Sequence, residues 1–359
     1  MAVILGIEST AHTFGVAVCN NGKILSNVKD MYTTEKGGII PVDSAKHHRE
    51  VSEKLFIEAI EKAGVSEKDI TAIALSNAPG LAPCLLAGLH FAKKLAVKLN
   101  VPVIPVNHCV AHLEIGRLTG ALDPVLLYAS GANTQIIAYA AGKYRVFGET
   151  LDIGVGNFID TFARHAGLGF PGGPKIAALA EQASDETKKN LIELPYAIKG
   201  MDVSFSGIQT KLKQMFDTEN LKSKFSVYSI KEQEGKTNLI EHSKKYSIED
   251  LSYSMQETVF AMLIEASERA LAHTGKKELL LGGGVACNKR LQEMARIMCE
   301  ERGCKFFCPE NQFLVDQGAM IAYLGEILFN NGEFVSVKDL DKLDINPRQR
   351  TDDVEIKYK

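Results

Sequence analysis

His108 and His112 stand four residues apart in Asn107-His108-Cys109-Val110-Ala111-His112. If Asn107 caps a helix there, both imidazoles lie on one face, a spacing at which two ring nitrogens can hold one metal ion. The apolar run Val125–Ala129 then enters Ser130-Gly131-Ala132-Asn133-Thr134, a turn of small residues whose backbone N–H groups can approach a phosphate closely. A metal pair and a phosphate turn in mid-chain locate the expected active site.

A metal needs more ligands than two histidines. Asp316, just before Gln317-Gly318-Ala319 at an expected helix start, is the candidate carboxylate, with helix capping as its structural alternative. Tyr128, on the strand entering the turn, offers a phenol oxygen, although an aromatic in a strand more often simply packs. No Glu lies between the histidines to act as a base, which counts against a zinc peptidase. Glu8-Ser9-Thr10 interrupts an earlier strand pattern at the place matching Ser130–Thr134 and reads as a second phosphate turn. Either turn alone reads more readily as an ordinary hairpin; two at matching places favour phosphate. Gly282-Gly283-Gly284 follows Leu279-Leu280-Leu281 and opens a helix at Asn288, whose amide offers a donor and an acceptor to a ribose or adenine edge. Asp152 and Asp160 flank a Gly-rich bend, where acids bond ribose hydroxyls or a hydrated cation; capping is the alternative for Asp152. His47 and His48 read as hydrogen-bonded or exposed, and Cys109 as a core residue.

The elements that must position these groups repeat. Ala2–Gly6, Phe14–Cys19 and Lys23–Val28 read as a strand, a second strand and, after Asn20-Asn21-Gly22, a third. A helix from about Ser44, a strand at Ile70–Ser76, a helix at Leu85–Leu99 and a strand at Val101–Val106 follow. From Asp123 the same order begins again, with strands at Val125–Ala129, Thr134–Ala140 and Tyr144–Glu149. A β-β-β-α-β-α plan used twice predicts two ribonuclease-H-like domains facing each other over a cleft, an α/β architecture. The expected divisions are residues 1–122, residues 123–335 with an insertion at about 167–250, and a charged tail at 336–359. Within the insertion, 167–208 reads as Gly/Pro-rich and irregular and 218–249 as polar and exposed.

With 359 residues the chain suits two domains. A net charge of −3 excludes a strongly basic nucleic-acid binder, so any RNA contact uses a local patch or a partner's charge. Seven scattered cysteines without a C-x-x-C pair fit reduced thiols. The start Met-Ala-Val-Ile-Leu-Gly lacks a basic leader and no apolar run is long enough for a bilayer, so a cytoplasmic protein with no membrane contact is expected.

Read together, Ile7-Glu8-Ser9-Thr10-Ala11-His12-Thr13, Asn107-His108-x3-His112, Tyr128 with Ser130-Gly131-x-Asn133-Thr134, Pro171-Gly172-Gly173-Pro174, Ser204-Phe205-Ser206-Gly207, Gly283-Gly284-Val285-Ala286-x-Asn288 and Asp316-x-Gly318-Ala319-Met320 resemble the tRNA threonylcarbamoyladenosine transferases. These are the TsaD proteins of bacteria and the catalytic subunit of the KEOPS complex, and Ala-His-Thr resembles the archaeal and eukaryotic branch. The resemblance implies an actin/Hsp70/sugar-kinase-like (ASKHA) fold. It also implies transfer of a threonylcarbamoyl group from threonylcarbamoyl-AMP to N6 of the adenosine 3′ of the anticodon in tRNAs reading codons that begin with A. Carried over residue by residue, the metal ligands are His108, His112, Tyr128 and Asp316, for one divalent ion, iron or zinc. The contacts to ATP or the adenylate are Tyr128, Ala129, Ser130, Gly131, Ala132, Asp160, Gly173 and Asn288. Three residues depart from the family pattern: Ala132 replaces Gly, Ala177 replaces a ribose-binding Glu, and Gln317 replaces Asn. The implied partners are tRNA and KEOPS-type subunits, including a small kinase/ATPase that is sometimes fused downstream. The rival functions on this fold are a small-molecule kinase and an ATP-gated binding module. The first needs a catalytic acid at a sugar and no metal trio, the second a separate peptide-binding domain.

Overall fold

The computed structural model describes residues 2–34, 38–225 and 246–359. The chain opens with β1 (Val3–Glu8), β2 (Thr13–Asn20) and β3 (Lys23–Met31), an antiparallel meander turned at Asn21-Gly22, where both residues have positive φ. Asn and Gly tolerate that conformation, so the Asn-Gly pair sets the hairpin. There follow α1 (Pro41–Ala63), β4 (Ala72–Ala78), α2 (Ala82–Leu99), β5 (Val103–Asn107) and α3 (His108–Glu114). Both long helices begin with Pro in the first turn, where a missing N–H costs nothing.

The second series is β6 (Val125–Ala129), β7 (Thr134–Ala140), β8 (Lys143–Glu149), α4 (Val155–His165), α5 (Gly173–Glu181), α6 (Asp185–Lys189), β9 (Ile198–Lys199), β10 (Asp202–Val203) and α7 (Ser206–Phe225). It continues with α8 (Ile248–Thr274), β11 (Glu278–Gly282), α9 (Lys289–Glu301), β12 (Lys305–Phe307), α10 (Asn311–Leu314) and α11 (Gly318–Asn330).

The first sheet runs β3-β2-β1-β4-β5 and the second β8-β7-β6-β11-β12. In each, the first three strands are antiparallel and the last two join parallel to the first. The duplicated pattern expected from the sequence is thus one topology built twice. The β4 run Ala-Ile-Ala-Leu-Ser is buried on both faces, as an interior parallel strand requires.

Burial falls into layers. One core lies between the first sheet and α1/α2, around Phe14, Phe56, Leu75 and Leu95; another lies outside the second sheet, around Phe158, Phe205, Phe260 and Leu281. A third lies between the sheets and draws on Ile4, Ala74 and Ile104 of the first, Leu126 and Leu280 of the second, Val110 of α3 and Ile321 of α11. One of the two central helices crosses over. α11, from the second series, packs on β1 and β2, and a side chain at Gly6 would meet the Gly318 carbonyl and Ala322 amide at 2.4 Å. α3, from the first series, packs on α11 and on β4 and β5 of its own sheet, and Gly116 in the turn after it faces the Leu280 side chain of the second.

Two expectations are corrected. Residues 167–208 are only partly irregular: 167–172 and 190–197 are loop, but α5 and α6 lie against α8, with Ile176, Ala180 and Thr187 buried and Ser184 capping α6. Gly173 and Pro174 open α5, a role that composition alone does not separate from loop. Nor do residues 336–359 form a free tail, since Leu340, Leu343, Thr351 and Ile356 are buried. These apolar residues are too few and too widely spaced among charges to signal burial by pattern. Of the polar stretch 218–249, residues 226–245 lie outside the described residues; 218–225 continue α7 and 248–249 open α8.

Candidate metal centre and cleft

β5 ends inside the molecule at Asn107, whose Oδ1 accepts a hydrogen bond from the Val110 N–H at 3.1 Å and starts α3. His108 and His112 therefore project from one face, with ring centroids 4.7 Å apart and exposures of only 5% and 1%. From the second sheet, β6 delivers Tyr128, whose hydroxyl is 3.1 Å from His108 Nε2. The loop before α11 brings Asp316, whose Oδ1 lies 3.4 Å from His108 Nε2 and 3.3 Å from His112 Nε2. Two imidazoles, a phenol and a carboxylate from three parts of the chain thus converge, and the ligand atoms of His108, His112 and Asp316 lie within 4.8 Å of one another.

Asp316 does not cap α11. The neighbouring Gln317 does, its side-chain oxygen accepting from the Met320 N–H at 2.9 Å, which leaves the Asp316 carboxylate free to face the histidines. The departure from Asn at 317 therefore keeps the cap.

Burial opposes charge on His108, but Glu8, Tyr128 and Asp316 outweigh it and raise its pKa well above the usual histidine value. Burial lowers that of His112, helped by its charged neighbour His108 and opposed by the hydrogen bond to Asp316. Burial alone would raise Asp316, yet His108 and His112 hold it well below the usual carboxylate range. Burial also pushes the Tyr128 phenol up. The four side chains present nitrogen and oxygen donors to one point, and that set suits a divalent first-row ion. The residues present fit such an ion.

The first turn differs from its expectation. Glu8, Ser9 and Thr10 are buried, and their polar groups face inward. The Thr10 N–H donates to Glu8 Oε1 at 2.7 Å, the Ser9 N–H donates to Ser76 Oγ at 3.0 Å, and Glu8 Oε2 meets His108 Nδ1 at 3.0 Å. A turn with its amides spent this way offers no open cradle to a phosphate. The Glu8–His108 contact escaped sequence reasoning; its one signal was an acid at the end of an apolar strand.

The second turn remains at the surface, with Gly131 and Ala132 exposed. Its Ser130 and Gly131 carbonyls accept from the Gly156 and Asn157 amides of α4, and Gly283 packs close enough that a side chain would meet the Ala129 carbonyl at 2.3 Å. Asp160 accepts from the Gly172 N–H at 2.7 Å, and burial raises its pKa. Gly173 and Asn288 line one small pocket with Phe158 and Gln256. Asn288, however, uses its Oδ1 to cap α9 and its Nδ2 to donate to Gln256 at 2.8 Å, so its side chain is already engaged. Asp152 lies outside the group; it accepts from the Phe205 and Ser206 amides and secures the start of α7. His47 meets Asp30 at 2.9 Å, His48 is buried against Phe14, and Cys109 is 2% exposed.

Two sheets of one topology packed about α3 and α11 define the ASKHA class. Two solved structures share the fold. Thermococcus kodakarensis HypF is 14% identical with a TM-score of 0.56, covering 94% of this chain and 49% of that one. A full-length HypF in a phosphate- and nucleotide-bound form is 13% identical with a TM-score of 0.55, covering 91% and 56%. The family model described as TsaD, tRNA N6-adenosine threonylcarbamoyltransferase, matches residues 23–323. A protein named tRNA N6-adenosine threonylcarbamoyltransferase from Thermococcus kodakarensis is 48% identical over 99% of both chains. A "probable bifunctional tRNA threonylcarbamoyladenosine biosynthesis protein" of Methanosarcina mazei is 47% identical over 99% of this chain, which spans 59% of that longer protein. The chain belongs to the tRNA N6-adenosine threonylcarbamoyltransferase family, in company with archaeal relatives. Among the described residues, no helix is long and apolar enough to cross a membrane.

Proposed function

We propose that this chain is the enzyme that moves a threonylcarbamoyl group from threonylcarbamoyl-AMP to N6 of the adenosine 3′ of the anticodon in tRNAs reading codons that begin with A. Near-full-length identity to proteins of that name is the observation that carries the reading. The cluster of His108, His112, Tyr128 and Asp316 beside the Ser130–Asn133 turn supports it chemically. These four side chains would hold one divalent ion, iron or zinc, which when bound supplies a Lewis acid that polarises the carbonyl or phosphate oxygen of a mixed anhydride.

The chain's own residues do the remaining work. Exposed Gly131 and Ala132 present backbone to the phosphate of ATP or the adenylate. Gly173 and the capping pair Asn288–Gln256 border the place for its nucleoside, and Asp160 holds Gly172 and Gly173 in position. The adenine amine is a weak nucleophile, so catalysis rests on positioning a base that the anticodon loop already leaves unpaired. No covalent enzyme intermediate is needed.

The partners proposed are tRNA and KEOPS-type subunits with a small kinase/ATPase, and the compartment is the cytoplasm. The longer, bifunctional Methanosarcina relatives fit a neighbour fused in some lineages. Incubation with unmodified tRNA, threonine, bicarbonate, ATP and an adenylate-forming synthase, followed by nucleoside mass analysis, tests the activity. Threonylcarbamoyladenosine formed only in the presence of the chain is expected, whereas tRNA left unmodified with the partner subunits added refutes the assignment.

A further inference from the structure

We infer that Glu8, with Thr10 behind it, is a positioning pair that fixes the ring orientation and tautomer of His108 for metal binding, in place of the phosphate contact that the turn suggests. The inference rests on the metal reading above. Glu8 has no exposure and reaches the end of β1 with both carboxylate oxygens engaged. Oε2 lies 3.0 Å from His108 Nδ1, while Oε1 accepts from the Thr10 N–H at 2.7 Å and from its hydroxyl at 2.5 Å. A carboxylate can only accept, so it holds a proton on Nδ1 and leaves Nε2, which faces Asp316 and Tyr128, as the atom that would bind an ion. An imidazole held this way is a better oriented and more basic ligand. His112 lacks such an arrangement: its Nδ1 is buried without a hydrogen-bond partner among the described residues. The two histidines are therefore unequal, and His108 is the anchored one.

The turn's other bond, from the Ser9 N–H to Ser76 Oγ at 3.0 Å, touches neither imidazole and provides the control. Metal-stripped protein is titrated with cobalt(II), reading the visible d–d band for both affinity and coordination geometry. Glu8→Ala is expected to weaken cobalt binding 10- to 100-fold, the usual cost of losing such a partner, and to shift the band. Glu8→Gln, which can still accept from Nδ1–H, recovers part of the affinity, and Thr10→Val gives a smaller loss. Ser76→Ala leaves cobalt binding unchanged. Wild-type affinity in Glu8→Ala overturns the inference, as does an equal loss in Ser76→Ala, because the effect would then be turn stability. If Glu8→Ala does not fold, the Glu8→Gln and Thr10→Val titrations decide by the same comparison. Wild-type protein that takes up no cobalt sinks the metal reading itself, and with it this inference.

Discussion

Asp316 and Gln317 are adjacent, and their roles could have been exchanged. An acid before a helix is ordinarily its cap. Here the longer neighbour reaches the Met320 amide, and Asp316 turns to two imidazoles that leave it ionised against the burden of burial. With His108, His112, Tyr128 and Asp316 converging on one point, removing an imidazole leaves one nitrogen donor beside two oxygens, too weak a set to retain the ion. His112→Ala is therefore expected to abolish both the bound metal, measured by plasma mass spectrometry, and nucleoside modification. Full activity with a metal-free variant would defeat the proposed centre. Asn288 stood in the sequence as a candidate adenine contact and in the fold is a committed cap, since a helix N-cap and a base-contacting amide look alike in sequence.

Among the elements, α3 and α11, packed on each other, decide the geometry. Asp316 can meet His108 only because α11 leaves its own sheet and lies on the other, with Gly6, Gly15 and Gly318 allowing backbone to approach backbone. A methyl at Gly6 would sit 2.4 Å from two backbone atoms of α11, which cannot yield as a side-chain end can. Gly6→Ala should cost at least about 1–3 kcal/mol by overpacking, seen as a lower urea midpoint. It should also reduce metal retention, because Asp316 is carried on the displaced segment. An unchanged midpoint would mean that α11 does not rest on β1 as described. The helices themselves were readable from caps and periodicity, down to Asn107; which sheet each would choose was not, because either offers an apolar face.

Across the whole molecule, the last residues tie the two halves together. The Asn346 N–H donates to the Asn77 carbonyl, the Gly80 N–H to the Pro347 carbonyl, and Asn107 Nδ2 to Gln349 on the first side. Arg350 meets Glu149 at 3.2 Å on the second, and Lys359 sits over the Tyr139 and Tyr144 rings. Asn107 thus touches this strap while capping the histidine helix. Truncation after Leu343 exposes the surface under Ile356, worth about 1.5–3 kcal/mol. It should lower Tm by roughly 5 °C at the few degrees per kcal/mol of domains somewhat smaller than this chain. An unaltered Tm would return this segment to the loose tail that its charge suggested.

By itself the sequence determined the duplicated strand order, the capped His-x-x-x-His helix, the glycine turns and the family, because hydrophobic period, turn chemistry and ordered motifs are local and survive as letters. It also supplied every candidate ligand. Tertiary structure alone decided that Glu8 faces a histidine, that Gln317 and not Asp316 caps α11, and that the charged end crosses between the halves. Each hangs on a contact between residues far apart in the chain, His108 with Glu8 and with Asp316 and Asn107 with Gln349, and a residue type states what a side chain can bond without stating what folding will bring beside it.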